Sequence, residues 1–219
     1  MRRLRVALAC LAILFMAACS IGTILQPTRD LSQFYVLTPM DASARGVPIT
    51  YSGTGGAREL EIGLGPVKFP AYLARAEIVT RSSPNKVDFS EIDRWAEPLD
   101  RNFVSVLSQN LTMLLGAHVI TFPWYRPAKL DYQITLEITR FDTDSNGAAQ
   151  VVGRWEIKDP NTGDVLNSGE SNFTEQARSG ETPAVTLSRA LGDLSAQLAD
   201  AIRSTKHPPP PPVIFREGK

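Results

Sequence analysis

Leu130-Asp131-Tyr132-Gln133-Ile134-Thr135-Leu136-Glu137-Ile138-Thr139 alternates apolar and polar side chains from Leu130 to Thr139. A strand points successive side chains to opposite faces. The pattern therefore sends Tyr132, Ile134, Leu136 and Ile138 to one face and Asp131, Gln133, Thr135, Glu137 and Thr139 to the other. Asn146-Gly147 follows, a tight-turn dipeptide set here in a longer loop. Gln150 to Ile157 then carries Val151, Trp155 and Ile157 on one side. Asp159-Pro160-Asn161-Thr162-Gly163 turns the chain again, and Val165 to Thr174 returns. The stretch reads as a three-stranded meander whose apolar face needs a cover.

Two helical patterns flank it. Leu99, Phe103, Val106, Leu107, Leu111 and Leu114 recur at spacings of three and four. Pro98 suits the first helical turn, Glu97 beside it favours the positive end of the helix dipole, and Gly116 is a C-terminal stop. Thr182-Pro183 is an N-cap with a following proline. The stripe behind it is Leu187, Leu191, Leu194, Leu198 and Ile202, ending near Thr205. The expected fold is α+β: a mainly antiparallel sheet with two long helices packed on one face.

The N-terminal half is read less directly. Gln33 to Leu37 is a strand candidate stopped by Thr38-Pro39. Asp41 to Ala57 is glycine-rich and reads as a loop. Its Gly53-Thr54-Gly55-Gly56 lacks the Lys-Ser/Thr ending of a phosphate loop. Glu59 to Leu64 alternates as a half-buried strand. In Pro66-Val67-Lys68-Phe69-Pro70-Ala71-Tyr72-Leu73, two prolines bracket an apolar turn, which excludes a plain strand or helix. Phe69, Tyr72 and Leu73 either pack down as core or project as a contact patch. Glu77 to Arg81 and Lys86 to Phe89 form a hairpin around Ser82-Ser83-Pro84-Asn85. Arg94-Trp95-Ala96-Glu97 is expected to lead into the first helix. His118 to Phe122 is a strand closed by Pro123-Trp124.

The chain starts with Met1-Arg2-Arg3-Leu4-Arg5, then runs uncharged from Val6 to Ala18. A basic start, an apolar run of about 7–15 residues and small residues before a cut make a secretory signal. The run is short of the roughly 20 residues a membrane span needs. Met16-Ala17-Ala18-Cys19 resembles the bacterial lipobox, which implies removal of residues 1–18 and lipidation of Cys19 by a diacylglycerol and an N-acyl chain such as palmitate. Residues 19–32 read as a lipidated tether, 33–205 as the folded domain and 206–219 as a proline-rich tail. In the tail, Pro208 to Pro212 is a polyproline tract followed by Val213-Ile214-Phe215. Ser20 lacks the Asp that retains enterobacterial lipoproteins in the inner membrane, which points to the outer membrane.

Cleavage before Cys19 leaves 201 of the 219 residues, and losing Arg2, Arg3 and Arg5 from a balance of 23 basic and 23 acidic residues leaves a net charge near −3. Nothing there favours nucleic acid. Cys10 leaves with the signal, so the mature chain keeps Cys19 and has no second thiol for a disulfide or zinc site. There are two histidines, His118 and His207, with no HExxH and no GxSxG. Glu91, Asp93 and Glu97 lie between Arg94 and Arg101 or beside them and read as a salt-paired helix entrance. The expectation is a non-enzymatic protein without a metal or cofactor.

Several short motifs occur in order: Phe34-Tyr35-Val36-Leu37, Gly63-Leu64-Gly65-Pro66-Val67, Phe69-Pro70-Ala71-Tyr72-Leu73, Ile78-Val79-Thr80-Arg81, Arg94-Trp95-Ala96-Glu97-Pro98-Leu99 and Phe122-Pro123-Trp124. From Gln33 to Ile202 this series resembles the PqiC (paraquat-inducible protein C) family, auxiliary lipoproteins of ABC-type transport systems that contain an MCE protein. The resemblance implies an outer-membrane lipoprotein facing the periplasm and docking the conduit of an intermembrane lipid transporter. It implies an MCE-domain partner and a homo-oligomeric ring. A periplasmic scaffold and a small lipid-binding lipoprotein are the alternatives. A lipid carrier needs an apolar cavity with a mouth; a docking subunit needs an exposed apolar patch. The patch is expected at Phe69, Pro70, Tyr72 and Leu73 with Arg94 and Trp95.

Overall fold

The meander is present and extends further than its alternation suggested. In the computed structural model, which describes residues 30–41, 60–124 and 129–205, the strands are β1 (Gln33–Tyr35), β2 (Glu61–Lys68), β3 (Glu77–Ser83), β4 (Lys86–Trp95), β5 (His118–Thr121), β6 (Tyr132–Asp144), β7 (Ala149–Lys158) and β8 (Val165–Glu175). The helices are α1 (Leu99–Leu115) and α2 (Pro183–Ser204). The signal segment, Cys19, most of the tether, the glycine-rich loop and the proline-rich tail lie outside the described residues.

β6 organises the sheet. β7 pairs with it antiparallel from Gln133 to Thr143, and β8 pairs antiparallel with β7. These are the long ladders, and with the β3–β4 hairpin they make the sheet largely antiparallel. The other edge of β6 is divided. β2 runs parallel to its first part, from Ile62 opposite Tyr132 to Lys68 opposite Glu137. β3 runs parallel to its last part, with Thr80 opposite Thr143 and Arg81 opposite Asp144. The sheet thus forks, with β5 outside β2 and the β4–β1 pair outside β3. A bulge between Ile138 and Arg140 interrupts the alternation of β6, and Phe141, Asp142 and Thr143 are all buried. Gly153 faces that bulge. A Cβ there would lie 2.8 Å from the Glu137 carbonyl oxygen, so the fold needs a glycine.

Both apolar stripes face the sheet. Phe103, Leu107, Leu111, Leu187, Leu191, Leu194 and Leu198 are fully buried with Ile134, Leu136 and Ile157. Gly116 closes α1 in the left-handed conformation with φ of 60°, and Thr182 with Pro183 opens α2. Pro98 stands one position earlier than expected, as the cap before Leu99.

Several strands differ from the sequence reading. β1 ends at Tyr35 instead of Leu37. β2 continues through Pro66 to Lys68, because a register shift between Leu64 and Val67 takes the proline out of the ladder. It is also covered on both faces, with Ile62, Gly63 and Leu64 all buried. Finally, β4 runs on to Trp95. Glu91, Asp93 and Arg94 therefore belong to a strand instead of a helix entrance. The charges along β4 hid it, since β1 and β3 flank it with few apolar partners.

A buried polar seam joins the helices. The Asn110 side chain accepts from the Met40 N–H at 2.9 Å and donates to the Ser195 hydroxyl at 3.0 Å. Asn102 accepts from the Leu37 N–H, and the Ser188 hydroxyl accepts from the Thr38 N–H. Residues 37–40 are thus strapped across α1 and α2 by side chains replacing a strand partner. Asn110→Ala leaves the Met40 N–H and the Ser195 hydroxyl without this partner and is expected to cost about 1–3 kcal/mol. In urea denaturation the midpoint should fall with an unchanged slope.

Candidate functional site

The connection between β2 and β3 crosses the fork in the sheet. It begins with Phe69-Pro70 and contains a short 3-10 turn, Ala71–Leu73. Phe69 is half-buried; its ring packs edge-on against Phe103 at 4.9 Å between centroids, and Phe103 packs the same way on Phe141 at 5.2 Å. Such pairs add about 0.5–1.5 kcal/mol beyond the area they bury. Leu73 is buried. The turn is thereby fastened to α1 and β6 together.

Tyr72 points into a buried charge cluster. Its hydroxyl donates to Asp142 Oδ2 at 3.1 Å. The same oxygen accepts from Arg81 Nε at 3.2 Å and Nη2 at 3.0 Å, and Oδ1 accepts from Arg140 Nε at 2.7 Å. Asp142 is fully buried. Burial, followed by the neighbouring carboxylate, raises the Tyr72 phenol above its ordinary value. The folded-state value exceeds the unfolded one. The stabilisation this group gives is therefore complete below about pH 10 and is lost only as pH rises through the raised value. The cluster is a structural clasp between the turn, β3 and β6.

The six residues expected to form one docking patch divide three ways. Phe69, Leu73 and Trp95 line an open groove of about 640 Å³, together with Val67, Leu99 and the small side chains of Ala74, Ala76 and Ala96. Pro70 and Tyr72 shape the turn behind it. Arg94 is the neighbour of Trp95 on β4, so its side chain leaves by the opposite face, where it reaches Glu77 at 3.8 Å. Leu73 and Trp95 are buried, at 3% and 5% exposure. They form the floor of a concavity, and no projecting patch is made by them. Glu97 and Asp100 stand at the mouth, exposed. Glu97 Oε1 accepts from the Asn102 amide at 2.8 Å, tying the mouth to the strap across the helices.

Sequence reasoning missed Val67, Leu99 and the three alanines as groove walls. Leu99 carried a helix signal only, and alanines carry no recognisable pattern. Among the described residues, no group of three or more His, Cys, Asp or Glu gathers to hold a metal ion.

The architecture is that of an α+β domain carrying an apolar groove, in a chain whose N-terminal sequence resembles a lipobox. The chain belongs to the family described as the ABC-type transport auxiliary lipoprotein component, whose model matches residues 36–202. Two solved structures share the fold. Protein XCC0632 from Xanthomonas campestris, of family DUF330, is 16% identical with a TM-score of 0.57, over 78% of this chain and 95% of that one. An uncharacterized protein is 20% identical with a TM-score of 0.57, over 78% of this chain and 98% of that one. PelC from Paraburkholderia phytofirmans, crystallised as a dodecamer, is 20% identical over 67% of this chain and 92% of its own, with a TM-score of 0.39. No curated protein sequence matches.

Asp142→Asn keeps the shape of the clasp and removes its charge, leaving two guanidiniums without a counter-ion. The expected cost is about 3 kcal/mol, at the low end for a broken buried pair because both arginines keep some contact with water. Chemical denaturation should show it as a lowered midpoint, and Tyr72→Phe, which removes only a hydroxyl, should cost about 1 kcal/mol.

Proposed function

We propose that this protein is the outer-membrane lipoprotein subunit of an MCE-containing, ABC-type lipid transport system. Cys19 holds it by its acyl chains, and the folded domain receives the periplasmic end of the transporter. Membership of the auxiliary lipoprotein family is the observation that carries the reading. The groove at the fork of the sheet supports it: anchor side chains of a partner are strongest where they fill a desolvated pocket near the centre of an interface. Here the floor is Phe69, Leu73 and Trp95, and the mouth carries Glu97 and Asp100. The partner element is an MCE-domain protein presenting apolar side chains, and a ring of copies would multiply one weak contact.

The concave, apolar lining also favours the reading as a small lipid-binding lipoprotein. The two separate by what co-purifies: phospholipid bound in the groove without a protein partner supports the second and counts against the first.

Ala74 and Ala96 are exposed and line the groove, so large side chains there fill it while leaving the core intact. Ala74→Trp and Ala96→Trp should each stay within about 0.5 kcal/mol of the parent, as surface substitutions usually do, and should abolish capture of the MCE partner. Capture at parental level by a folded double variant would remove the groove as the docking site. Trp95→Ala is a poorer test, since loss of a buried indole costs about 3–5 kcal/mol.

A further inference from the structure

The far side of β4 carries a second surface, which shares Arg75 alone with the lining of the groove. Phe34 on β1 lies opposite Arg94 on β4, and Ile92 is two residues before Arg94, so the three share one face. That face is turned away from Trp95 and the helices. Arg94 reaches Glu77 at 3.8 Å, Glu77 pairs with Arg75 at 3.2 Å, and the Arg75 guanidinium stands 3.7 Å over the Phe89 ring. Phe89 pairs with Val79, two residues along β3 from Glu77, so it stands on the same side as Glu77 and Arg94. Phe34 is 64% exposed, Ile92 43% and Phe89 41%. Exposed apolar side chains that gather on one face mark interaction sites, whereas scattered ones need no explanation.

The occupant follows from where the patch sits in the chain. β1 is the first element after the proposed lipid-bearing cysteine, 14 residues beyond Cys19. A linker of that length reaches at most about 50 Å, so β1 cannot stray far from the bilayer that holds the acyl chains. The composition suits that neighbour. Aromatic and aliphatic side chains with arginines enter the headgroup–acyl boundary, and two arginines against one glutamate leave a positive balance toward anionic headgroups.

We infer that the β1–β4 face, through Phe34, Ile92 and Phe89 with Arg75 and Arg94, rests on the phospholipid surface to which the protein is anchored. This inference depends on the lipidation proposed above. Because Arg94 and Trp95 leave β4 by opposite faces, contact at the patch turns the groove away from the bilayer. The anchor supplies retention, and the patch supplies orientation.

The test uses the mature lipoprotein reconstituted into vesicles of phosphatidylethanolamine and phosphatidylglycerol doped with doxyl-labelled phosphatidylcholine. Phe34→Cys, Ile92→Cys and, as a control on β8, Val165→Cys each carry a bimane label. Flotation of the protein with the vesicles reports the anchor, and quenching reports the patch. Quenching at 34 and 92 should be about twofold or more above that at 165, as expected of side chains entering about 5–10 Å into the boundary. Equal quenching at all three positions in protein that floats overturns the inference while leaving the lipidation intact. Failure to float instead removes the lipidation. Labels at 34 and 92 that are shielded in detergent solution, with a mass above one copy, assign the patch to a second copy and also overturn it.

Discussion

The carboxylate of Asp142 is the constraint on which the groove-bearing half of the domain depends. It is fully buried at the end of β6, where the sheet divides. A charge in that place is costly unless its lone pairs are filled. Tyr72, Arg81 and Arg140 fill them. Each donor comes from a different element, so the electrostatic requirement becomes a geometric one: the turn after β2, the β3 strand and the bulged end of β6 must meet. Arg81 adds a bond to the Pro84 carbonyl in the hairpin. Without such a clasp, the connection over the fork would rest on Phe69 and Leu73 alone.

The legible part of the sequence was the part with a period. Tyr132 to Ile138 and the leucines of both helices declare their faces, because one side is buried and the other wet. The α+β class, the C-terminal meander and Gly116 as a helix stop follow from that. The illegible part had a different physical origin. Asn102, Asn110, Ser188 and Ser195 are buried because they bind the backbone of residues 37–40 or each other, and a polar residue in a helix looks solvated until its partner is known. Asp142 shows the same failure: its burial depends on arginines 61 residues and two residues away.

The candidate site was legible in outline only. Phe69 and Leu73 of the proline-bracketed stretch and Trp95 of the Arg94-Trp95 pair all come to line the groove. The sequence left two fates open for those aromatics, core or contact. The structure combines them for Phe69, which packs edge-on against Phe103 and also lines the groove. It separates Arg94 from Trp95, because β4 extends far enough to alternate them. A helix entrance would have kept the two side chains close together; a strand sends them to opposite faces.

That extension of β4 has the larger consequence for mechanism. A protein that works by position needs a surface whose direction is fixed relative to its attachments. A lipid anchor of the kind proposed for Cys19 would set distance and leave direction free. A strand supplies direction, because neighbouring side chains cannot both face the same way. The groove floor is held by buried contacts to α1 and β6, and its mouth is held through Glu97 and Asn102 to the strap over both helices. The walls are thus set before any partner arrives, which spares the ordering cost that a mobile loop would bring to binding. Rigidity follows from buried polar contacts: the polar seam and the Asp142 clasp keep the groove and both helices in one shape.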